Sequence, residues 1–215
     1  MERIKKLCTY LDKCKTFADV GCDHGYCTRY MLENNLCESA VISDISAKCL
    51  HKAESLLSGF MNSGRVTSVC CSGLDKIDRN TEQILIAGMG GIEIANILKT
   101  AYIPHSFVFQ PMKNARLLRE YLMLKGAEVT QDEVFFADGK YYFVIKGKKS
   151  GVPCRYSKAE LEFGKSLQSA ETRSYMGVEL QKKKNYLKNK MLKESRLNLE
   201  AEIAFMEGVL SGEIK

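Results

Sequence analysis

The sequence predicts an α/β fold: a doubly wound parallel sheet that ends in an antiparallel hairpin, followed by an α-helical, coiled-coil-like region. Three observations predict it. Short apolar runs break repeatedly into glycine- or acid-bearing turns and then into helix-like segments, the alternation expected of parallel strands with crossover helices. Two consecutive strand-like runs meet at Asp138-Gly139, a hairpin signal. From about Gly151 the strand-like runs stop, and Lys, Glu and Leu dominate.

The elements follow in order. Residues 2 to 13, ERIKKLCTYLDK, place Ile4, Leu7, Cys8 and Leu11 on one helical face. Such a helix ahead of the first strand can close over a site or merely cap the sheet. Phe17 to Tyr26, FADVGCDHGY, is a buried strand entering a glycine-bracketed turn, and Cys27 to Asn34 continues as a helix. SAVISDIS is a second apolar run ending at Asp44; the helix-like KCLHKAESLLSGF then leads to the strand-like RVTSVCCSG. QILIAGMGG repeats the break from strand into glycines, and GIEIANILKT is its helix. SFVFQP is a strand stopped by Pro111, and the helix NARLLREYLMLKG is closed by Gly126. EVTQDEVFFA and KYYFVIKG form the hairpin. Beyond it, Leu199, Ile203, Met206 and Leu210 recur at coiled-coil spacing, while Leu180, Leu187 and Met191 make a poorer stripe. The chain thus divides into a sheet domain over 1–150 and a helical tail over 151–215.

Composition narrows the classes. The 215 residues hold one full-sized domain and an appendage. The 45% hydrophobic and 27% charged fractions are those of a globular protein, not a disordered one. A net charge of +6 permits an anionic partner without requiring one. No apolar run is long enough to cross a bilayer, and MERIKKLCTY lacks the apolar core of a signal peptide, so no membrane partner and a cytoplasmic location are expected. The nine cysteines are scattered, no CxxC pair occurs, and the three histidines are isolated. They leave no zinc ligand set, so no metal is expected and the cysteines read as reduced core filler.

Ligand pockets of doubly wound sheets lie at the carboxyl ends of the strands. Here those ends carry Asp23, His24 and Gly25, then Asp44, then Ser72 and Gly73, then Ala87, Gly88, Met89 and Gly90, then Gln110 and Pro111. Gly21 and Gly25 supply a tight turn, but a dinucleotide fingerprint would also need glycine at 23. Asp23 stands there, with Asp19 four residues earlier; carboxylates in this place repel a phosphate and suit a cation. S-adenosylmethionine carries an ammonium, a sulfonium and no phosphate, so the loop favours a methyl donor over a dinucleotide. Asp44 follows at the interval at which an acid grips a ribose diol; capping the helix after it is the alternative. His24 reads equally as a hydrogen-bonded loop residue or a catalytic one, and Tyr26 as a core tyrosine or a stacking surface for a base. The AGMGG run leaves a backbone-lined opening for a flat ligand and lacks the Asn-Pro-Pro-Tyr type of quartet found where exocyclic amines are methylated.

DVGCDHGY, IAGMGG, FQPMKN, the DGKYYFV hairpin and the helical tail occur in the order found in the bacterial TrmK family, which the chain resembles over essentially its whole length. The family signature is similar to D-I-G-S-D-H-A-Y: Asp19, Gly21, Asp23, His24 and Tyr26 match, with Cys22 and Gly25 in place of Ser and Ala. The resemblance implies a class I, Rossmann-like methyltransferase that uses S-adenosylmethionine to methylate N1 of adenine 22 in tRNA. Two departures stand out: Ser72 occupies a place where related enzymes often set Asp or Asn against the cofactor's adenine, and Met112 follows Gln110-Pro111 where relatives often have Asn.

The resemblance implies cofactor contacts from Asp19, Gly21, Asp23, Gly25, Asp44, Ser72, Gly73 and Ala87 to Gly90. Adenine N1 has a free lone pair, so alignment and an acceptor for developing positive charge matter more than a base. Asp23 is the candidate acceptor, or else a ligand of the cofactor's amino group, with His24 and Gln110 positioning. Tyr26 and Pro111 are candidate substrate contacts. The basic run Lys182, Lys183, Lys184, Lys188, Lys190, Lys193 and Arg196 reads as a tRNA-holding arm or as a solvated helical face. The chain is expected to act as a monomer. Two other readings remain: a methyltransferase for a small molecule or protein, and a catalytically weak tRNA-binding protein.

Overall fold

The structure, a computed structural model, describes residues 1–152, 154–189 and 192–214. A helix, α1 (Glu2–Cys8), precedes β1 (Thr16–Val20), which alternates with α2 (Tyr26–Glu33), β2 (Ser39–Asp44), α3 (Ala47–Leu56), α4 (Ser58–Asn62) and β3 (Val66–Cys70). Then come β4 (Gln83–Met89), α5 (Gly91–Thr100), β5 (Ser106–Pro111), α6 (Ala115–Leu124) and the hairpin β6 (Ala127–Ala137) and β7 (Lys140–Lys149). The seven strands form one sheet in the order β3-β2-β1-β4-β5-β7-β6. β1 to β5 are parallel, whereas β7 runs antiparallel to both β5 and β6. The strand order reverses between β1 and β4, the place where ligand crevices open.

The central strands are buried on both faces, which is why they read as continuous apolar runs. In β4, Leu85 faces the cluster built on α1, α2 and α3, while Ile84 and Ile86 face α5 and α6 beside Phe107 and Phe109. Two predicted helices are shorter in the structure. The first ends at Cys8, and a tight turn (Tyr10 N to Leu7 O, 3.1 Å; Leu11 N to Cys8 O, 3.2 Å) still buries Leu11. The helix over 48–60 breaks at Leu57, whose fully buried side chain packs beneath the turn at Gly25. A Cβ on Gly25 would lie 3.0 Å from Leu57 Cδ1 and 3.1 Å from Ala53 Cβ, so this glycine, at φ 71°, serves packing.

After the sheet come α7 (Lys158–Phe163), α8 (Ala170–Leu187) and α9 (Lys193–Ser211), with their own cluster of Ala159, Phe163, Met176, Met206 and Val209. Arg173 near the start of α8 donates to Leu210 O at the end of α9, and Lys183 pairs with Glu202, so α9 runs back along α8. Ile203 and Met206 of the predicted seam are buried; Lys190 and Met191 lie outside the described residues. The tail is anchored to the sheet by a buried ion pair. Arg119 on α6 donates Nε to Asp132 Oδ2 at 2.7 Å and Nη2 to Oδ1 at 2.8 Å. Its Nη1 donates to the carbonyls of Leu161 and Glu162, and Tyr156 donates its hydroxyl to Asp132 at 2.8 Å.

Candidate active site

A cavity of about 960 Å³ opens over the carboxyl ends of β1, β2, β3 and β4. Its floor is made by the turn after β1. Gly21 N and Cys22 N both donate to Ser43 O, at 2.8 and 3.0 Å, which stitches this turn to β2. Gly21 has φ 73° and Asp23 has φ 46°, left-handed conformations that suit glycine and that Asp tolerates better than most side chains.

Asp19 lies within the cavity wall and is only 5% exposed. Its Oδ2 accepts from Thr28 Oγ1 at 2.9 Å. Burial pushes its carboxyl up to about 7; the Thr28 hydrogen bonds oppose that shift and the Asp44 charge adds to it. Asp44 accepts from Ser46 N (2.8 Å) on one oxygen and from Asp23 N (3.4 Å) on the other. Ser46, not Asp44, caps α3 by accepting from Cys49 N. Asp44 therefore sits at the strand end with its carboxylate turned toward the cavity it lines. Ser43 Oγ is buried in the same wall without a hydrogen-bond partner among the described residues.

Asp23 is more exposed, and both its oxygens are engaged: His24 Nδ1 lies 2.7 Å from one and Lys52 Nζ 3.6 Å from the other. His24 also stacks on Tyr26, with ring centroids 5.5 Å apart and planes 7° from parallel. Tyr26 is 39% exposed, so this pair is a rim platform and not core filling. Across the cavity, Ser72 and Gly73 meet α5, and Ala87 to Gly90 form the wall beneath α1. The antiparallel edge contributes nothing here directly.

Of the residues singled out in the sequence, Asp19, Gly21, Asp23, His24, Tyr26, Asp44, Ser72, Gly73, Ala87, Gly88, Met89 and Gly90 line one cavity. Gly25, Gln110 and Pro111 do not. Gln110 is wholly buried behind the wall, where its Oε1 accepts from Arg3 Nη1 at 2.7 Å and its Nε2 donates to Pro111 O at 3.2 Å. It reaches the cavity only through Arg3. The described part of the basic run lies away from the cavity, with Lys182, Lys183 and Lys184 on α8, Lys188 just past its end, and Lys193 and Arg196 opening α9, and much of its charge is balanced there: Lys182 pairs with Glu179, Lys183 with Glu202 and Lys184 with Glu207, while Lys188 bonds Asn185. Arg3, Ser43, Ile45, Asn96, Lys113 and Asn114 line the cavity without having been singled out. Only the amphipathic pattern of α1, which suggested a cover, pointed toward one of them. No cluster of three or more metal-ligating side chains occurs among the described residues.

Acids over β1 and β2, a flat aromatic rim, and a doubly wound sheet whose last strand is antiparallel define a Rossmann-like methyltransferase. The family model described as "Methyltransferase domain" matches residues 1–145, and the chain belongs to that family. It is 33% identical over 150 residues, 69% of this chain and 70% of the other, to a Mycoplasma pneumoniae protein described as a candidate tRNA methyltransferase. It is 24% identical over 168 residues, 76% of this chain and 71% of the other, to the tRNA (adenine(22)-N(1))-methyltransferase of Bacillus subtilis. Its fold is similar to that of M. capricolum TrmK, solved with S-adenosyl-homocysteine, with a TM-score of 0.87 at 22% identity, covering 98% of this chain and 97% of that one.

Proposed function

We propose that the protein transfers a methyl group from S-adenosylmethionine to N1 of adenine 22 in tRNA, acting as a monomer in the cytoplasm. One observation carries the reading: two carboxylates, Asp19 and Asp44, converge on a cavity whose strand-end turn holds a third, Asp23, in place of a phosphate-cradling glycine. The tRNA methyltransferases among its relatives support the choice of substrate.

The residues fit the cofactor. A buried, desolvated Asp19 needs a cation to hold its charge, as an amino-acid ammonium would. The unpartnered Ser43 Oγ offers a hydroxyl from the same wall, and Asp44 suits a ribose diol. Ser72, Gly73 and Ile45 would border the adenine ring. Bound there, S-adenosylmethionine supplies an electrophilic methyl group.

What the chain itself must do is present the base. N1 lies on the Watson–Crick edge, so an adenine that is paired has to leave its partner first. The His24–Tyr26 platform at the rim offers a face on which the extruded ring can stack. Because a neutral nitrogen becomes cationic, no side chain need remove a proton beforehand. Asp23 serves as the acceptor for that growing charge or as a ligand of the cofactor's amino group, and His24 and Lys52 hold its carboxylate in place.

Residues 151–215 serve as the tRNA-holding tail. Their ion pairs lower the reserve of unbalanced cations, so K182A/K183A/K184A is expected to raise the KM for tRNA only about threefold, with cofactor affinity unchanged. Steady-state kinetics against unmodified tRNA checks this; a loss of turnover at saturating tRNA would show instead that the cluster supports catalysis.

The reading itself is tested by incubating the protein with labelled S-adenosylmethionine and unmodified tRNA, digesting the RNA and identifying the nucleoside by mass spectrometry. N1-methyladenosine at position 22 is expected. Tight tRNA binding with no methyl transfer would favour an RNA-binding role, and transfer independent of RNA would favour a small-molecule or protein acceptor.

A further inference from the structure

The α8–α9 hairpin changes character along its length. Near the sheet it is packed: Met176 on α8 and Met206 and Val209 on α9 are buried, and the Tyr141 and Ser174 hydroxyls meet at 2.6 Å. Beyond that level no described residue of 181–189 or 192–202 is buried. Tyr186 stands about 18 Å further along the axis than Ser174, at about 1.5 Å of rise per residue. It is 64% exposed, with Leu192 at 79% and Leu197 at 56%. The Arg173–Leu210 and Lys183–Glu202 contacts set the register of the two helices and bring Leu197 to within about a turn of the level of Tyr186. The half-buried seam residues at this level are Leu187 and Leu199, not these three. Among the described residues, Tyr186 neither stacks on nor hydrogen-bonds to another side chain.

The charge divides at the same place. Before Tyr186, the lysines at 182, 183 and 184 each pair with a glutamate. After it, among the described residues, Lys188 bonds the neutral Asn185, Lys193 has no carboxylate partner, and Arg196 reaches Glu200 only at 3.9 Å. In sequence, residues 185–198 carry Lys188, Lys190, Lys193 and Arg196 against the single acid Glu194. No group of the cofactor explains this: inside the cavity the acids suit its ammonium and Arg3 suits its carboxylate, and the far end of the hairpin lines no part of that cavity. A second copy of the chain fits poorly, because a two-fold contact would set the same cations against one another. An uncharged apolar partner would leave those cations unmatched. RNA supplies both phosphates and aromatic faces. We propose that the far end of the α8–α9 hairpin is a nucleobase contact: Tyr186 stacks on an unpaired base of the tRNA, bordered by Leu192 and Leu197, while Lys188 and Lys193 hold the adjoining phosphates. This rests on the tRNA reading and adds to it a second contact, apart from the adenine that is methylated.

The experiment compares Tyr186→Ala, Tyr186→Phe and the double variant Lys188→Gln/Lys193→Gln with the wild type, measuring affinity for fluorescently labelled unmodified tRNA over a range of salt concentrations. Tyr186→Ala is expected to weaken binding roughly tenfold with an unchanged log–log salt slope, because stacking carries no charge. Tyr186→Phe keeps the ring and should bind as the wild type does. The lysine double variant should make the slope shallower by about 1.5. In methyl transfer the losses should appear in the KM for tRNA and not in kcat, since the contact lies away from the reacting base. S-adenosylmethionine affinity, read by calorimetry, should hold throughout. Wild-type tRNA affinity in Tyr186→Ala, or an equal loss in Tyr186→Phe, overturns the proposal alone. So does a concentration-dependent dimer of the wild type, seen by sedimentation and lost in Tyr186→Ala, which would assign the surface to a second copy. A wild type that binds tRNA without methylating it overturns the enzymatic reading while the affinities still decide Tyr186. A wild type that does not bind tRNA removes both.

Discussion

Asp19→Ala is expected to weaken S-adenosylmethionine binding by about 100-fold, some 2.7 kcal/mol, while leaving tRNA affinity unchanged. The carboxylate is buried at the end of β1, and among the described residues its one side-chain partner is the neutral Thr28 hydroxyl. A ligand cation is therefore the group that would compensate its charge. The pH dependence follows from the same fact. Burial lifts the Asp19 carboxyl to about 7 in the ligand-free protein, whereas an unfolded Asp sits near 3.8. Only the ionised form attracts an ammonium, so cofactor affinity should rise as pH is raised through about 7 and level off above it. Asp19→Asn should bind weakly at every pH. Isothermal titration of both proteins from pH 6 to 8 reads this out, and a wild-type affinity flat across that range would show that Asp19 does not hold the cation.

Stability moves the other way. Between the unfolded and folded values the native state binds the proton more tightly, so its advantage is full below about 3.8 and is lost as pH rises to about 7. In the absence of ligand, Asp19→Asn removes that loss and should raise Tm at pH 8 by roughly 5 °C. A site residue whose neutral replacement stabilises the protein is one held for function.

The second large effect lies away from the site. Asp132→Ala should destabilise the protein by about 3–5 kcal/mol and lower Tm by roughly 10 °C. Arg119 and Asp132 are both wholly buried, bonded through two parallel N–H···O contacts, with Tyr156 on the same carboxylate. Removing the carboxylate leaves a buried guanidinium whose remaining partners among the described residues are the Leu161 and Glu162 carbonyls and the face of Phe143, 4.8 Å away. Since the pair joins α6 and β6 to the start of the helical tail, hydrogen exchange should accelerate first in α7. The double variant Arg119→Met/Asp132→Leu should be less damaged than Asp132→Ala, because it abandons both charges together. A single variant within 1 kcal/mol of wild type would mean that water reaches and solvates Arg119.

Much of this was legible in the chain itself, for a physical reason. Strand and helix periodicity, the turn at Asp138-Gly139 and the glycine-and-acid handovers at Asp19 to Asp23 are local, and local backbone chemistry is written where it acts. Because parallel strands deliver their carboxyl ends to one edge, those handovers, with Asp44 and the AGMGG run, had to meet at one cavity. What depended on distant pairing was not legible. No local pattern places β7 between β5 and β6, sends Gln110 inward, or gives Lys182 to Lys184 their glutamate partners. Arg3 is the clearest case: it enters the site because a hairpin turn 135 residues later seats its helix and a buried amide on β5 aims its side chain. The sequence alone determined the sheet, the family resemblance and the acidic end of the cavity. Only tertiary structure decided its cationic end, since that charge is assembled from segments brought together by folding.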